Sequence, residues 1–139
     1  RAAEAVDLVD HDHVDQPGLL KGRYAFAGEI IWTGHCHCES CRRATSSPVT
    51  SFFAVPRDGF SFTGDEPGAY RSSPNVMRRF CRTCGSPVAY EWDGKPGEVH
   101  LYTTSLDDHS DFVAGRHDFW NERVAWLNVV DDLPKHEDE

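Results

Sequence analysis

Residues Pro87-Val88-Ala89-Tyr90-Glu91-Trp92 and Glu98-Val99-His100-Leu101-Tyr102-Thr103-Thr104, joined by Asp93-Gly94-Lys95-Pro96-Gly97, decide the fold class of this chain. Apolar side chains alternate with period two on both sides of the loop. Val88, Tyr90 and Trp92 share one face of the first segment, and Val99, Leu101 and Thr103 oppose Tyr102 and Thr104 in the second, which is strand periodicity. The Gly- and Pro-bearing loop between them predicts an antiparallel hairpin.

Working outward, the same alternation predicts strands at Tyr24 and Phe26, at Ile30 and Trp32, over Val49–Val55 with Phe52 opposite Phe53's face, at Phe60–Thr63 and at Val76–Phe80. Turn signals separate them at residues 56–59, 64–68 and 72–75. Helix is scarce: Glu39–Ala44 has room for one turn, and Ser105-Leu106-Asp107-Asp108 carries a capping pattern for a short helix running towards Phe112. The expected architecture is a mainly β, mostly antiparallel domain over residues 20–130. An acidic N-terminal tail or extension (1–19) and an acidic C-terminal tail (131–139) flank it.

The chain has 139 residues, which indicates one domain with one modest core and excludes a large multidomain enzyme. Lys plus Arg total 14 and Asp plus Glu 23, a net charge of −9. Residues 1–15 and 131–139 hold five acids each, so the body between is nearly neutral and the surplus belongs to solvated ends. A duplex nucleic acid is thereby disfavoured as partner, since phosphate neutralisation by Lys and Arg supplies most non-specific affinity. No apolar run nears the roughly 20 residues of a membrane-spanning helix, and residues 1–15 contain no secretory h-region, so a soluble protein with no membrane partner is expected. The sequence leaves the oligomeric state open.

Five cysteines fall in two clusters, Cys36-His37-Cys38-Glu39-Ser40-Cys41 and Cys81-Arg82-Thr83-Cys84-Gly85. An odd number packed this tightly suits a metal in a reducing, cytoplasmic setting better than a disulfide framework. Three thiolates within six residues suit Zn²⁺, and the C-x2-C knuckle followed by Gly85 is a second metal signal. Two arrangements remain open. One four-cysteine structural zinc could combine Cys81 and Cys84 with two of the first three. Alternatively, Cys36, Cys38 and Cys41 hold the ion alone and leave a coordination position free for chemistry. A thioredoxin-like dithiol at Cys81 and Cys84 is set aside, because no βαβ pattern surrounds it.

The runs GHCHCESCRRATSSP, FFAVPRDGFSFTGDEPGAYRSSP, RFCRTCGSPVAYE and PGEVHLYTTSLDD, over about residues 22–127, resemble the glutathione-dependent formaldehyde-activating (GFA) family and its centromere protein V relatives. The resemblance implies an Mss4-like fold of folded antiparallel β-sheets with zinc knuckles. It also implies carbon–sulfur lyase chemistry on the glutathione–formaldehyde adduct, with glutathione as the small-molecule thiol partner. By position, Cys36, Cys38 and Cys41 match the family's zinc site associated with substrate thiol, and Cys81 and Cys84 match half of its structural zinc site. The other half, an N-terminal C-x-C expected near Pro17 and Leu19, is missing, and His11 and His13 are the candidate replacements.

Arg42 and Arg43 match a basic pair in the family, where a guanidinium favours neighbouring thiolates and could bind a glutathione carboxylate. His35 and His37 alternate with the cysteines and are expected to face away from the metal. His117 is expected in the core or on the surface, and the four tryptophans, Trp32, Trp92, Trp120 and Trp126, in the core or on a pocket wall. Ser46, Ser47 and Thr50 belong to no nucleophile motif. Two functions fit: a zinc-dependent carbon–sulfur lyase, or a non-catalytic zinc-binding module that binds thiols or a protein partner.

Overall fold

The structure is a computed structural model that describes residues 2–3 and 23–139. The readings made for residues 4–19, including His11, His13 and the positions of Pro17 and Leu19, fall outside the described residues.

The strands are β1 (Ala2–Ala3), β2 (Tyr24–Ala25), β3 (Gly28–Glu29), β4 (Trp32–Cys36), β5 (Thr50–Pro56), β6 (Ser61–Phe62), β7 (Gly68–Ser73), β8 (Val76–Phe80), β9 (Pro87–Trp92), β10 (Glu98–Tyr102) and β11 (His117–Asp118), with one α-helix, α1 (Glu39–Thr45). Seven of them form the main sheet in the order β11-β4-β5-β10-β9-β8-β7, while β1 pairs β3 and β2 pairs β6. The β9–β10 hairpin has the loop that the sequence predicts, and β8 and β9 fall on their predicted residues.

Alternation along β5 and β10 divides the side chains between two faces. On one, Phe53, Val55, Val99 and Leu101 pack with Tyr24, Phe26, Val88 and Ala89. Each Phe, Val or Leu side chain taken out of water here contributes roughly 1.5–3 kcal/mol. Tyr24 is fully buried, and its hydroxyl and that of Ser105 hydrogen-bond at 2.6 Å, so the one polar atom it carries inward is satisfied. On the other face, Phe52, Tyr102 and Cys41 form a second cluster, with Trp32, Tyr90, Cys36 and Cys38 against it.

Three expectations are corrected and one strand, β7, is added. Val88 does not share a face with Tyr90 and Trp92: the β8–β9 register shifts between Arg79 and Phe80, so Val88 is the extra residue of a bulge and turns into the first cluster. β7 gives no alternating signal because it is an edge strand whose residues after Gly68 are all exposed. Ser105–Phe112 forms no α-helix. Thr103–Ser105 is a single 3-10 turn, and Ser105 is committed to Tyr24 and the Tyr102 carbonyl (2.7 Å) instead of capping a helix. Finally, the acidic segment 131–139 is no free tail. It runs beside β11, where the His117 amide donates to the Pro134 carbonyl (2.8 Å), His136 to His117 (2.8 Å) and Trp120 to His136 (2.8 Å). An edge strand leaves its backbone groups unpaired, and this strap satisfies them. β11 is also the one parallel partner in the sheet, alongside β4.

Candidate metal centre and pocket

Cys36 ends β4, Cys38 caps α1 and Cys41 lies in its first turn, so one strand-to-helix corner gathers three sulfurs. The corner is fixed by backbone chemistry. The Cys41 amide donates to Cys38 Sγ (3.3 Å), the Arg42 amide to the Cys38 carbonyl (3.0 Å), and the His37 amide to the Asp118 carbonyl (3.0 Å) on β11. Gly34 lets β11 come this close, since a Cβ there would meet the Arg116 carbonyl at 3.1 Å. The three sulfurs lie within 4.8 Å of one another, and Cys36 and Cys38 are 3.4 Å apart. Such a cluster could hold a metal ion.

Neither Cys81 nor Cys84 joins this group, which excludes the four-cysteine site combining the two motifs. Cys81 is buried in the first hydrophobic cluster with Cys84 against it. Their knuckle is closed by the Gly85 amide to the Cys81 carbonyl (2.7 Å) and the Cys81 amide to the Ser86 carbonyl (2.9 Å). Gly85 sits at φ +80°, a conformation that glycine adopts without strain.

The electrostatics of the triplet are anionic. Hydrogen bonds from the Cys36 and Cys41 side chains hold the Cys38 thiol well below the ordinary thiol range, and the bond to Cys38 pushes Cys36 up. The compensating cation is Arg78, a residue that sequence reasoning did not single out. It is 3% exposed, and its guanidinium donates to Ser40 Oγ (3.0 Å), Tyr102 Oη (2.8 Å), Ser72 Oγ (3.0 Å) and Cys41 Sγ (3.7 Å) while lying 5.0 Å from the Tyr90 ring centroid. Among the described residues no carboxylate pairs with it. A buried guanidinium without a counter-charge is strongly unfavourable, so its placement fits a cluster that carries thiolate charge.

The arginines beside the motif are placed elsewhere. Arg43 pairs with Glu39 (2.9 Å) on the exposed side of α1, and Arg42 donates to the His37 carbonyl (3.1 Å) and the Glu122 carbonyl (3.1 Å). Helical periodicity explains the difference: with Cys41 turned inward, the next two positions rotate away. The alternating histidines also face away from the sulfurs. His35 Nδ1 meets Ser51 Oγ (2.8 Å), and His37 Nε2 meets His117 Nδ1 (2.7 Å), whose Nε2 meets Asp131 Oδ2 (2.8 Å). Burial, with His117 and His35 beside it, pulls His37 down to about 4, so this buried chain is neutral at His37 near pH 7. His117 is completely buried.

The sulfurs open onto a cavity of about 710 Å³. Trp32, Phe52, Tyr90, Trp92 and His100 supply its apolar wall, and Arg78 and Lys95 its fixed positive charges. Tyr90 and His100 stack at 5.4 Å, and Trp32 meets His100 edge-on at 4.8 Å. Glu98 holds this wall in place, accepting from Trp32 Nε1 (3.1 Å) and bonding His100 Nε2 (3.0 Å). The expectation for Trp126 is corrected, since it is 74% exposed and lies neither in the core nor on this wall, while Trp120 packs against His37 and His117 instead of lining the cavity. Phe119 also lines the cavity and, at the start of the Trp120–Glu122 3-10 turn, has φ +54°, an unusual backbone for a bulky residue. Ser46, Ser47 and Thr50 do not line the cavity.

No helix among the described residues is long and apolar enough to cross a membrane. A crystal structure of a Rhodobacter sphaeroides protein shares the fold, with a TM-score of 0.56 and 16% identity, covering 73% of this chain and 88% of that one. An uncharacterised lyase of Schizosaccharomyces pombe is 35% identical over 57 residues, and the match spans 41% of this chain and 41% of the relative's length. The sequence profile of the family described as glutathione-dependent formaldehyde-activating enzyme matches residues 21–123, which include both cysteine motifs, Arg78 and the pocket wall. The chain therefore belongs to the GFA family.

Proposed function

We propose that this protein is a zinc-dependent carbon–sulfur lyase-type enzyme that acts on the glutathione–formaldehyde adduct, S-hydroxymethylglutathione, or on a related thiol adduct. The observation that carries the reading is the three-sulfur cluster, with a buried arginine against it, opening onto an aromatic-walled cavity large enough for a tripeptide-sized ligand. The sulfurs fit zinc: tetrahedral thiolates at about 2.3 Å from the ion stand about 3.8 Å apart, and the triplet needs only small adjustments to reach that spacing. Cys36, Cys38 and Cys41 would hold the ion, which when bound lowers a thiol's pKa from about 8.5 and keeps it as thiolate near pH 7.

The chain's own groups do the rest. Arg78 offsets the charge accumulated on the sulfurs and, fixed by Ser40, Ser72 and Tyr102, keeps that charge in one place. The Trp32, Tyr90 and His100 wall excludes water from the carbon–sulfur bond and orients the adduct. In the forward direction the substrate sulfur bonds to the formaldehyde carbon and the carbonyl oxygen takes up the thiol's proton; lysis is the reverse. The family's glutathione dependence supports the choice of thiol.

The deciding assay is exchange NMR of glutathione and formaldehyde with wild type, with Cys38→Ser and with buffer alone. Wild type is expected to exceed the uncatalysed exchange, and Cys38→Ser to match buffer. Equal rates in all three would remove the enzyme and leave a zinc-binding module.

A further inference from the structure

One ion pair in the cavity is not used by the chemistry above. Lys95, in the β9–β10 loop, places Nζ 2.9 Å from Glu139 Oε1 and 6.0 Å from the centroid of the Trp32 ring. Both partners line the same cavity as the three sulfurs. Glu139 is thus a carboxylate delivered into the pocket by the acidic strap, with its side chain only 18% exposed. The strap is anchored upstream by short backbone bonds at Pro134 and His136, but beyond them its backbone tie is a long one, Phe119 amide to Asp138 carbonyl at 3.4 Å.

The other fixed cation, Arg78, already directs four of its five N–H donors to Ser40, Ser72, Tyr102 and Cys41. Lys95 is held by a single carboxylate on a weakly tied segment. Asp138 and Glu139 together add negative charge to the cavity, where it opposes the entry of an anion.

We infer that Lys95 is the carboxylate anchor of this pocket and that Glu139 occupies it as an internal competitor, displaced by a carboxylate-bearing thiol or thiol adduct. The choice of a thiol rests on the function proposed above; the anchor and its competitor do not. An occupied site lowers apparent affinity by the fraction of molecules in which it is closed, so freeing Lys95 must tighten binding of an anionic ligand.

The test uses S-methylglutathione, which keeps both carboxylates and has no free thiol, titrated by calorimetry into the full zinc-loaded chain. Relative to wild type, Glu139→Gln is expected to bind roughly two- to fivefold tighter, the range set by a partly exposed ion pair. Lys95→Ala is expected to bind more weakly, Lys95→Arg to restore binding, and Lys95→Ala/Glu139→Gln to show none of the Glu139→Gln gain. Equal affinity in wild type and Glu139→Gln, a gain that survives in the double variant, or no binding by either wild type or Glu139→Gln overturns the inference. Because the probe cannot present a thiolate, binding through Lys95 without catalysis keeps the anchor and removes the enzyme. Catalysis without binding through Lys95 does the reverse.

Discussion

Arg78 shows how a single residue decides the character of the site. Its charge is buried against sulfurs and hydroxyls rather than a carboxylate, so removing it leaves thiolate charge uncompensated in a poorly solvated place. Arg78→Met is expected to destabilise the zinc-loaded protein by about 3–5 kcal/mol and to weaken zinc retention against a chelator, read by urea unfolding and a chromogenic chelator assay. Arg78→Lys is expected to recover only part, because an ammonium cannot reach Ser40, Ser72 and Tyr102 together. Arg43→Ala, by contrast, loses only an exposed pair with Glu39 and is expected to change stability by no more than about 0.5 kcal/mol, with glutathione turnover unchanged.

At the scale of elements, the strand-to-helix corner and the C-x2-C knuckle are separate units with separate consequences. Cys38→Ser removes a sulfur while leaving a hydroxyl that can still accept the Cys41 amide at the N-cap of α1. It is expected to abolish zinc binding at the triplet while leaving the Phe53–Val55–Val99–Leu101 cluster folded, since that cluster lies on the opposite face of β5 and β10. The Cys81 knuckle packs into that cluster, and the described residues bring no third ligand to it. Elemental analysis is expected to find fewer than two zinc ions per chain. Cys81→Ser with Cys84→Ser is expected to cost roughly 1–3 kcal/mol, as buried small residues do, with zinc at the triplet retained. Unfolding of this double variant with loss of a zinc equivalent would assign the knuckle a structural ion completed from outside the described residues.

For the whole molecule, the long-range ion pairs of Glu91 make stability depend on pH on the acid side. Burial pushes the Glu91 carboxyl up, but hydrogen bonds from Arg79 (2.6 Å) and Arg57 (2.7 Å) outweigh it and hold the group below its ordinary value of 4.5. A carboxyl held low in the folded state stabilises the protein above its unfolded-state value and loses that contribution as pH falls through the folded value. Glu91→Gln is therefore expected to cost about 1 kcal/mol at pH 6, solvent screening included, and the gap to wild type is expected to narrow steadily as pH falls below 4.5, by urea unfolding across that range. The sequence by itself determined the β class, the hairpin at residues 87–104 and the two cysteine motifs, because period-two alternation, Gly- and Pro-bearing turns and close ligand spacing are local properties. Several features were decided only in three dimensions. Arg78 reaches Cys41 from 37 positions away and sits in an ordinary-looking strand. β7 and the β11 edge carry no alternating pattern. The strap at 131–139 reads as solvated acid until an unpaired strand edge and Lys95 give it partners. Such contacts join residues far apart in the chain, and which of them meet is set by sheet order and by a bulge in β9, neither of which leaves a local periodic signal.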